Sequence, residues 1–440
     1  MRLLLALLVV ALFGAAEPPK IKVETWSLQN GLTVVMSHDA RLPVVAVEVR
    51  YLVGSSHEVK GRSGFAHLFE HLMFQGSKNH DKEYFDPFEP IGGGANGTTN
   101  VDRTNYYERV PKNYLELALW MESDRMESLL PALTQKKLDN QRDVVKNERR
   151  QRYENRPYGM TWKFFHNSLF PEGHPYQHTT IGSHADLTAA TLDDVKGFFR
   201  QYYVPSNAVV TIVGDYDRDE AMLLVERYFG HLPAGKRAPK PKAPIPTLAE
   251  NQHITSTDNV PLPRIHLAWH TPGLYIDGDA SMDVYASVLT DGKTSRLYKP
   301  LVYDQKVAKD VSAYQVSMAM SGFFVVSATA APGKTVAELE AALKAELAAA
   351  QKTPPTDDEM SRVLNGWRKS FFGRAESVIS RATLLSTYYH LTGSADFIAG
   401  DLARYTKLTA KKVHDDATKW LAKPYLRVDI VPGKKSEEAK

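Results

Sequence analysis

Apolar residues recur at two different periods along the chain. Leu32 to Met36 (LTVVM) and Val44 to Val53 (VVAVEVRYLV) are rich in β-branched residues and predict strands. The second alternates in part, as a half-buried strand does. Gly64 to Phe74 (GFAHLFEHLMF) carries apolar residues at helical spacing, and Glu83-Tyr84-Phe85 with the segment after it predicts another short helix. Gly92-Gly93-Gly94 interrupts, and Ala95 to Tyr107 is Thr- and Tyr-rich and extended in character. Tyr114 to Leu130 and Lys136 to Tyr153 are long helical patterns, and Val209 to Val213 is a strand ending at Gly214-Asp215.

Ala234 to Pro246 (AGKRAPKPKAPIP) is basic, Pro-rich and without an apolar face, so it predicts an extended linker between two halves. The halves end alike. Thr191-Leu192-Asp193-Asp194-Val195 leads through a helix to Val204-Pro205 and then VVTIVGD. Thr409-Ala410-Lys411-Lys412-Val413 leads through a helix to Lys423-Pro424 and then RVDIVPG. An internal duplication accounts for this likeness. Two unrelated α+β domains that happen to end alike are the alternative.

At 440 residues the chain is long enough for two domains or more. Its 54 Lys and Arg against 51 Asp and Glu leave a net charge of +3, too little for a nucleic-acid footprint. It has no Cys, which excludes disulfides, thiolate metal sites and a cysteine nucleophile. Arg2, the apolar run Leu3 to Phe13 and the small residues Gly14-Ala15-Ala16 follow the pattern of a secretory signal peptide over residues 1–16. A membrane anchor or a buried helix is the other reading, but the run is shorter than the roughly 20 residues a spanning helix needs. A periplasmic or secreted location is expected.

His67-Leu68-Phe69-Glu70-His71 is the sharpest chemical signal. Residues four apart lie on one face of a helix, so two imidazoles there can converge on one metal ion. Glu70 is close enough to reach a water at that ion without itself being a ligand. This is the inverted order of the common zinc-peptidase motif. A pair of core or solvated histidines is the bland alternative, and an unpaired buried carboxylate between them would be costly. A catalytic zinc also needs a third protein ligand and an open position.

The segments GFAHLFEHLMFQGS, GGGANGTTNVDRTNYYERVP and HPYQHTTIG resemble the pitrilysin-type zinc metallopeptidases. The likeness is closest to the two-subunit type with a mitochondrial processing peptidase beta subunit. It runs from about Gln29 to the C-terminus and is most specific in the N-terminal half. It implies His67 and His71 as zinc ligands and a Glu some 75–80 residues on as the third. Glu148 lies 77 residues beyond His71. It implies Glu70 as the general base, and one Zn2+ per chain as cofactor. Gly92 to Thr99 resembles the family's substrate-side edge strand, on which a peptide binds as an added strand. Asn96 and Gly97 match its Asn-Ala pair, and glycine there is expected to loosen the strand slightly. A plain turn is the alternative for the three glycines. His174 and His178 take no metal role in the resemblance.

Two departures stand out. Gln141 occupies the place of a second Glu seven residues before Glu148. In the C-terminal half, the family's substrate-holding Arg and the Tyr seven residues later become Val302 and Lys309. Arg296 and Tyr303 have the right mutual spacing but the wrong register. The pair is therefore expected from a partner: a homologous subunit, with this chain as the zinc-bearing half of a heterodimer acting on peptides. The alternative is a non-catalytic structural or assembly subunit, against which the intact set His67, Glu70, His71 and Glu148 argues.

The expected fold is α+β: two related domains, 17–233 and 248–433, joined by a linker at 234–247. Each carries a mainly antiparallel or mixed sheet with helices on one face, and the second has no metal site. Residues 434–440 are expected to be a disordered tail.

Overall fold

The computed structural model describes residues 21–435. The expected signal peptide, 1–16, and most of the expected tail, 436–440, lie outside the described residues. The N-terminal half builds a six-stranded sheet from β1 (Glu24–Ser27), β2 (Thr33–His38), β3 (Val44–Tyr51), β4 (Gly94–Thr99), β5 (Thr104–Pro111) and β6 (Ala208–Gly214). Their spatial order is β1-β2-β6-β3-β5-β4. The C-terminal half builds a five-stranded sheet from β7 (Gln252–Asp258), β8 (Arg264–Thr271), β9 (Ala308–Val316), β10 (Gly322–Ala330) and β11 (Leu426–Pro432). Their order is β7-β11-β8-β10-β9.

The two sheets are one design used twice. With β1 set aside, each runs first strand, last, second, fourth, third, and in each only the first and last strands are parallel. The last strand follows a helix capped by threonine in both halves. Thr191 Oγ1 accepts from the Asp194 amide, and Thr409 Oγ1 accepts from the Lys412 amide, at 3.1 Å each. Such a cap satisfies an amide that the first helical turn leaves unpaired. The segment 234–247 between the halves forms neither helix nor strand.

Each half covers one face of its sheet with its own helices. Val45, Val47 and Val49 of β3 pack on Leu68 and Phe69 of α1 (Phe65–Leu72) and on Leu119 of α2 (Leu115–Ala132). Ile265 and Leu267 of β8 pack on Tyr285, Leu339 and Leu343. The opposite faces are covered reciprocally. Val35, Val209 and Val213 of the first sheet meet Phe371, Leu385 and Tyr388 from helices Asp357–Glu376 and Val378–Thr392. Ala268, Val325, Val428 and Ile430 of the second sheet meet Phe164, Phe165 and Leu169 from α4 (Thr161–Leu169). A fully buried large apolar side chain is worth about 1.5–3 kcal/mol, so this exchange binds the halves far more than the extended connector does.

The exchange changes the reading of β3. Its polar alternate positions, Glu48 and Arg50, are buried rather than solvated. They pair with each other at 3.3 Å. Glu48 also accepts hydrogen bonds from Ser386 and Thr383, at 2.7 and 2.5 Å, on the helix laid across from the other half.

The helix expected at Glu83-Tyr84-Phe85 does not form. Turns lead instead to a short 3₁₀ segment, Glu89–Ile91. Pro87 and Pro90 remove two amide donors that a helix would need. Tyr84 is instead drawn into the core, where its hydroxyl donates to Glu108 at 2.8 Å and its ring lies under the Arg125 guanidinium at 4.1 Å.

Three histidines sit where α4 meets the second sheet. His166 bonds the Tyr176 carbonyl, His270 the Leu169 carbonyl, and His266 the Ser327 hydroxyl. Burial pushes their pKa values down from 6.5, to about 4 for His166 and His270 and about 3 for His266. The unfolded chain protonates these rings first. Their stabilisation is therefore complete above about pH 6.5 and is lost as the pH falls toward the folded values, at up to about 1.4 kcal/mol per ring per pH unit. With metal chelated, the thermal midpoint is expected to drop steeply between pH 7 and pH 5. A midpoint constant over that range would contradict it.

Candidate metal centre

The helix bearing the motif is positioned at its first turn. Gly64, which precedes α1, has a φ of +90°. A Cβ there would meet the Ile181 carbonyl at 2.9 Å and Gly182 Cα at 3.0 Å. The Glu58 carboxylate accepts from the Gly64 and Ala66 amides at 2.8 and 2.7 Å, an anion placed where the helix dipole favours one. Glu58 is buried, which pushes its pKa up, while His178 at 2.8 Å opposes that shift. Gly64→Ala is expected to cost about 1–3 kcal/mol and to weaken metal binding, because α1 would start in a different place. Denaturant unfolding and zinc titration of that variant check both effects.

The third residue comes from α3 (Gln135–Arg149), which Thr134 caps and which runs into a turn of π-helix, Arg150–Glu154. Glu148 Oε2 lies 3.2 Å from His71 Nε2 and 3.6 Å from His67 Nε2. One ligand atom from each of the three residues falls within 4.8 Å of the other two, and the three form the one such group among the described residues. Gln141, two turns before Glu148 on α3, is buried.

The electrostatics suit a cation. Burial, with His71 beside it, lowers the His67 pKa to about 4 and keeps that imidazole neutral, the form that ligates metals. Burial alone would raise the Glu148 carboxyl. His71, His67 and Arg152 outweigh it and hold it below the ordinary value. Arg152 Nη1 reaches the other carboxylate oxygen at 2.8 Å. Two imidazoles and one carboxylate are a donor set that fits zinc.

Glu70 points elsewhere, toward β4. It is hydrogen-bonded to Thr99, and its Oε2 is buried without a partner. Burial raises its pKa, as suits a group that must accept and return a proton near neutral pH. β4 pairs with β5 on one side and ends the sheet on the other. Asn96 is exposed on it, and its side-chain oxygen accepts from the Gly97 amide at 2.8 Å. Gly97 does not simply loosen the strand. A Cβ there would meet the rings of Tyr106 and Phe74 at 3.0–3.1 Å, so those rings take up the room a methyl would need.

The other singled-out residues lie apart from this group. His178 braces Glu58. His174 packs on Phe170 at 4.8 Å between ring centres and accepts from the Tyr176 amide. Arg296 is engaged by Glu359 at 2.7 and 2.8 Å and by the carbonyls of Ala350, Thr353 and Pro354. Tyr303 is on the surface. Sequence reasoning missed Glu58, Arg103 and Arg152. Arg103 donates to the Thr98 carbonyl at 2.6 Å, beside Glu70. Only Arg152 carried a usable signal, four residues after Glu148 on a helix.

Residues 33–179 match the family model described as Insulinase (Peptidase family M16), and residues 189–366 match that described as Peptidase M16 inactive domain. Zinc protease PqqE of Helicobacter pylori is 30% identical over 375 residues, 83% of each chain. This chain belongs to the M16 peptidase family. A probable mitochondrial-processing peptidase subunit beta of Schizosaccharomyces pombe is another M16 relative, 27% identical over 48% of this chain and 46% of its own. The crystal structure of a protease from Helicobacter pylori superposes with a TM-score of 0.87 at 28% identity, covering 94% of this chain and all of that one. The periplasmic protease PqqL from Escherichia coli shares the fold, with a TM-score of 0.78 at 20% identity. It covers 97% of this chain, which spans half of PqqL. Among the described residues, no helix of this M16 chain is long and apolar enough to cross a membrane.

Proposed function

We propose that the chain is a zinc-dependent endopeptidase that hydrolyses peptides or extended segments, and that it is the zinc-bearing subunit of a heterodimer. The observation that carries this reading is the convergence of His67, His71 and Glu148, with Glu70 turned toward the open edge of β4. The first three would hold the ion. Zinc bound there supplies a Lewis acid that polarises a carbonyl and lowers the pKa of water from about 15.7 to about 7.

The chain's own residues do the rest. The unpaired backbone of β4 receives the substrate as an extra strand, so main-chain bonds supply affinity with little demand on sequence. Asn96 and Gly97 lie on that strand. Glu70 takes a proton from the attacking water and returns it to the departing amine. Thr99 orients its carboxylate, and Arg103 lies beside it.

The heterodimer rests on separate support. Arg296 is spent on Glu359 and three carbonyls, and Val302 and Lys309 stand where the resemblance places the Arg and Tyr. Relatives include proteins named as beta subunits, and a chain twice this length, PqqL, contains the fold. Action outside the cytoplasm is supported by the pattern of residues 1–16. A non-catalytic assembly role is the second reading, since part of the chain matches an inactive-domain model. That match, 189–366, begins beyond Glu148.

Purification from the native host, with zinc analysis and a peptide-cleavage assay, tests these statements together. The expected result is about one zinc per chain and cleavage that rises when a homologous co-purifying chain is present. Zinc-loaded protein that cleaves nothing with or without that chain would favour the assembly role.

A further inference from the structure

A cavity of about 320 Å³ opens where the segment following α3 meets the second sheet. Its lining includes Arg152, Arg156, Tyr158, Trp162, Arg264 and His266, and no acidic side chain among the described residues. Arg152 links it to the metal centre, since the same guanidinium reaches Glu148 at 2.8 Å. Nearby carboxylates are already committed. Asp258 accepts from the Tyr158 amide at 2.9 Å, and Asp310 accepts from the Thr329 hydroxyl at 2.8 Å.

The cavity is built rather than incidental. Tyr158 holds a φ of +60°, which a bulky residue rarely adopts. Two bonds fix it there, its amide to Asp258 and its hydroxyl to the Leu262 carbonyl at 2.7 Å. The Arg264 guanidinium lies 3.8 Å over its ring and donates to Thr329, with no acidic partner among the described residues. Arg156 is exposed and forms no ion pair with the described residues. His266, at 5% exposure, leaves Nε2 buried without a partner. Arg156, Arg264 and His266 thus converge with no carboxylate among the described residues to meet them.

We propose that this cavity is a substrate subsite for a carboxylate, carried by the peptide as an acidic side chain or as its C-terminal group. The inference deepens the peptidase reading and rests on it. Guanidinium groups recognise carboxylates through charge-assisted, often bidentate hydrogen bonds. Placed one side chain from the metal centre, the subsite would select peptides with a carboxylate a few residues from the scissile bond.

The test uses zinc-loaded Glu70→Gln protein, full length, with fluorescence anisotropy. The probes are labelled peptides differing by Glu against Gln at each scanned position, and by free acid against amide at the C-terminus. One carboxylate is expected to tighten binding about tenfold. A gain confined to a side-chain position identifies an internal acidic residue, and one confined to the C-terminus identifies the terminal group. Adding Arg156→Gln should erase the gain, whereas adding Arg200→Gln, an exposed helix position outside the cavity lining, should keep it. Arg264→Lys should reduce the gain with less disturbance of Tyr158 than an alanine would cause.

Wild-type protein, alone and with the homologous co-purifying chain, is assayed for cleavage of the same peptides. Cleavage without any Glu/Gln or acid/amide difference in binding overturns the subsite and leaves the peptidase standing. A binding difference erased by Arg156→Gln, in a protein that cleaves nothing, supports the subsite and overturns the peptidase. A difference that survives Arg156→Gln also overturns the subsite.

Discussion

Glu70→Gln is expected to lower kcat by about 10²–10⁴-fold while leaving zinc content and thermal midpoint at wild-type values. The substitution keeps the volume of the side chain and an oxygen for Thr99 to donate to. It removes the one property the buried Oε2 contributes, the capacity to take a proton. The raised pKa of Glu70 has burial as its main cause, and the amide cannot reproduce it. KM should change little, because the substrate is held by the backbone edge of β4. Steady-state kinetics beside metal analysis checks the expectation. A variant with wild-type kcat, or one that has lost its zinc, would remove Glu70 from the role of proton carrier.

Glu148→Ala should act on the metal itself. With the carboxylate gone, two imidazoles remain, and zinc affinity is expected to fall by more than about hundredfold, beyond the loss typical for groups that only support a ligand. His71→Ala should do the same. The fold should survive both changes, since neither side chain belongs to the apolar core. Competition with a chromophoric chelator measures the affinity, and circular dichroism confirms the fold. Tight one-to-one zinc binding in Glu148→Ala would place the third ligand elsewhere.

The motif His67–His71 was legible because it is local: five residues on one helix carry its chemistry. Glu148 was reachable only through the resemblance, since nothing in helical periodicity joins residues 77 apart. Strands β2, β3 and β6, helices α2 and α3 and the repeated Thr-capped helix before each final strand could be read from short-range patterns. The reciprocal covering of the two sheets could not. Amphipathicity says that α4 buries a face, but not that the face lies on the other half's sheet. Glu48 and Arg50 looked solvent-facing for the same reason, as their partners Thr383 and Ser386 are more than 300 residues away. Glu58 escaped notice because a carboxylate that caps a helix from a preceding loop resembles any surface acid in sequence. The misplaced helix at Glu83 yielded to the two prolines that follow it.

The most direct measurement is anomalous scattering at the zinc edge from crystals of the zinc-loaded wild-type protein. A single peak about 2.0–2.2 Å from Nε2 of His67, Nε2 of His71 and a Glu148 carboxylate oxygen is expected, with Glu70 outside the coordination shell. A peak bound elsewhere, or one at the histidines with Glu148 turned away, would contradict the assignment of this centre.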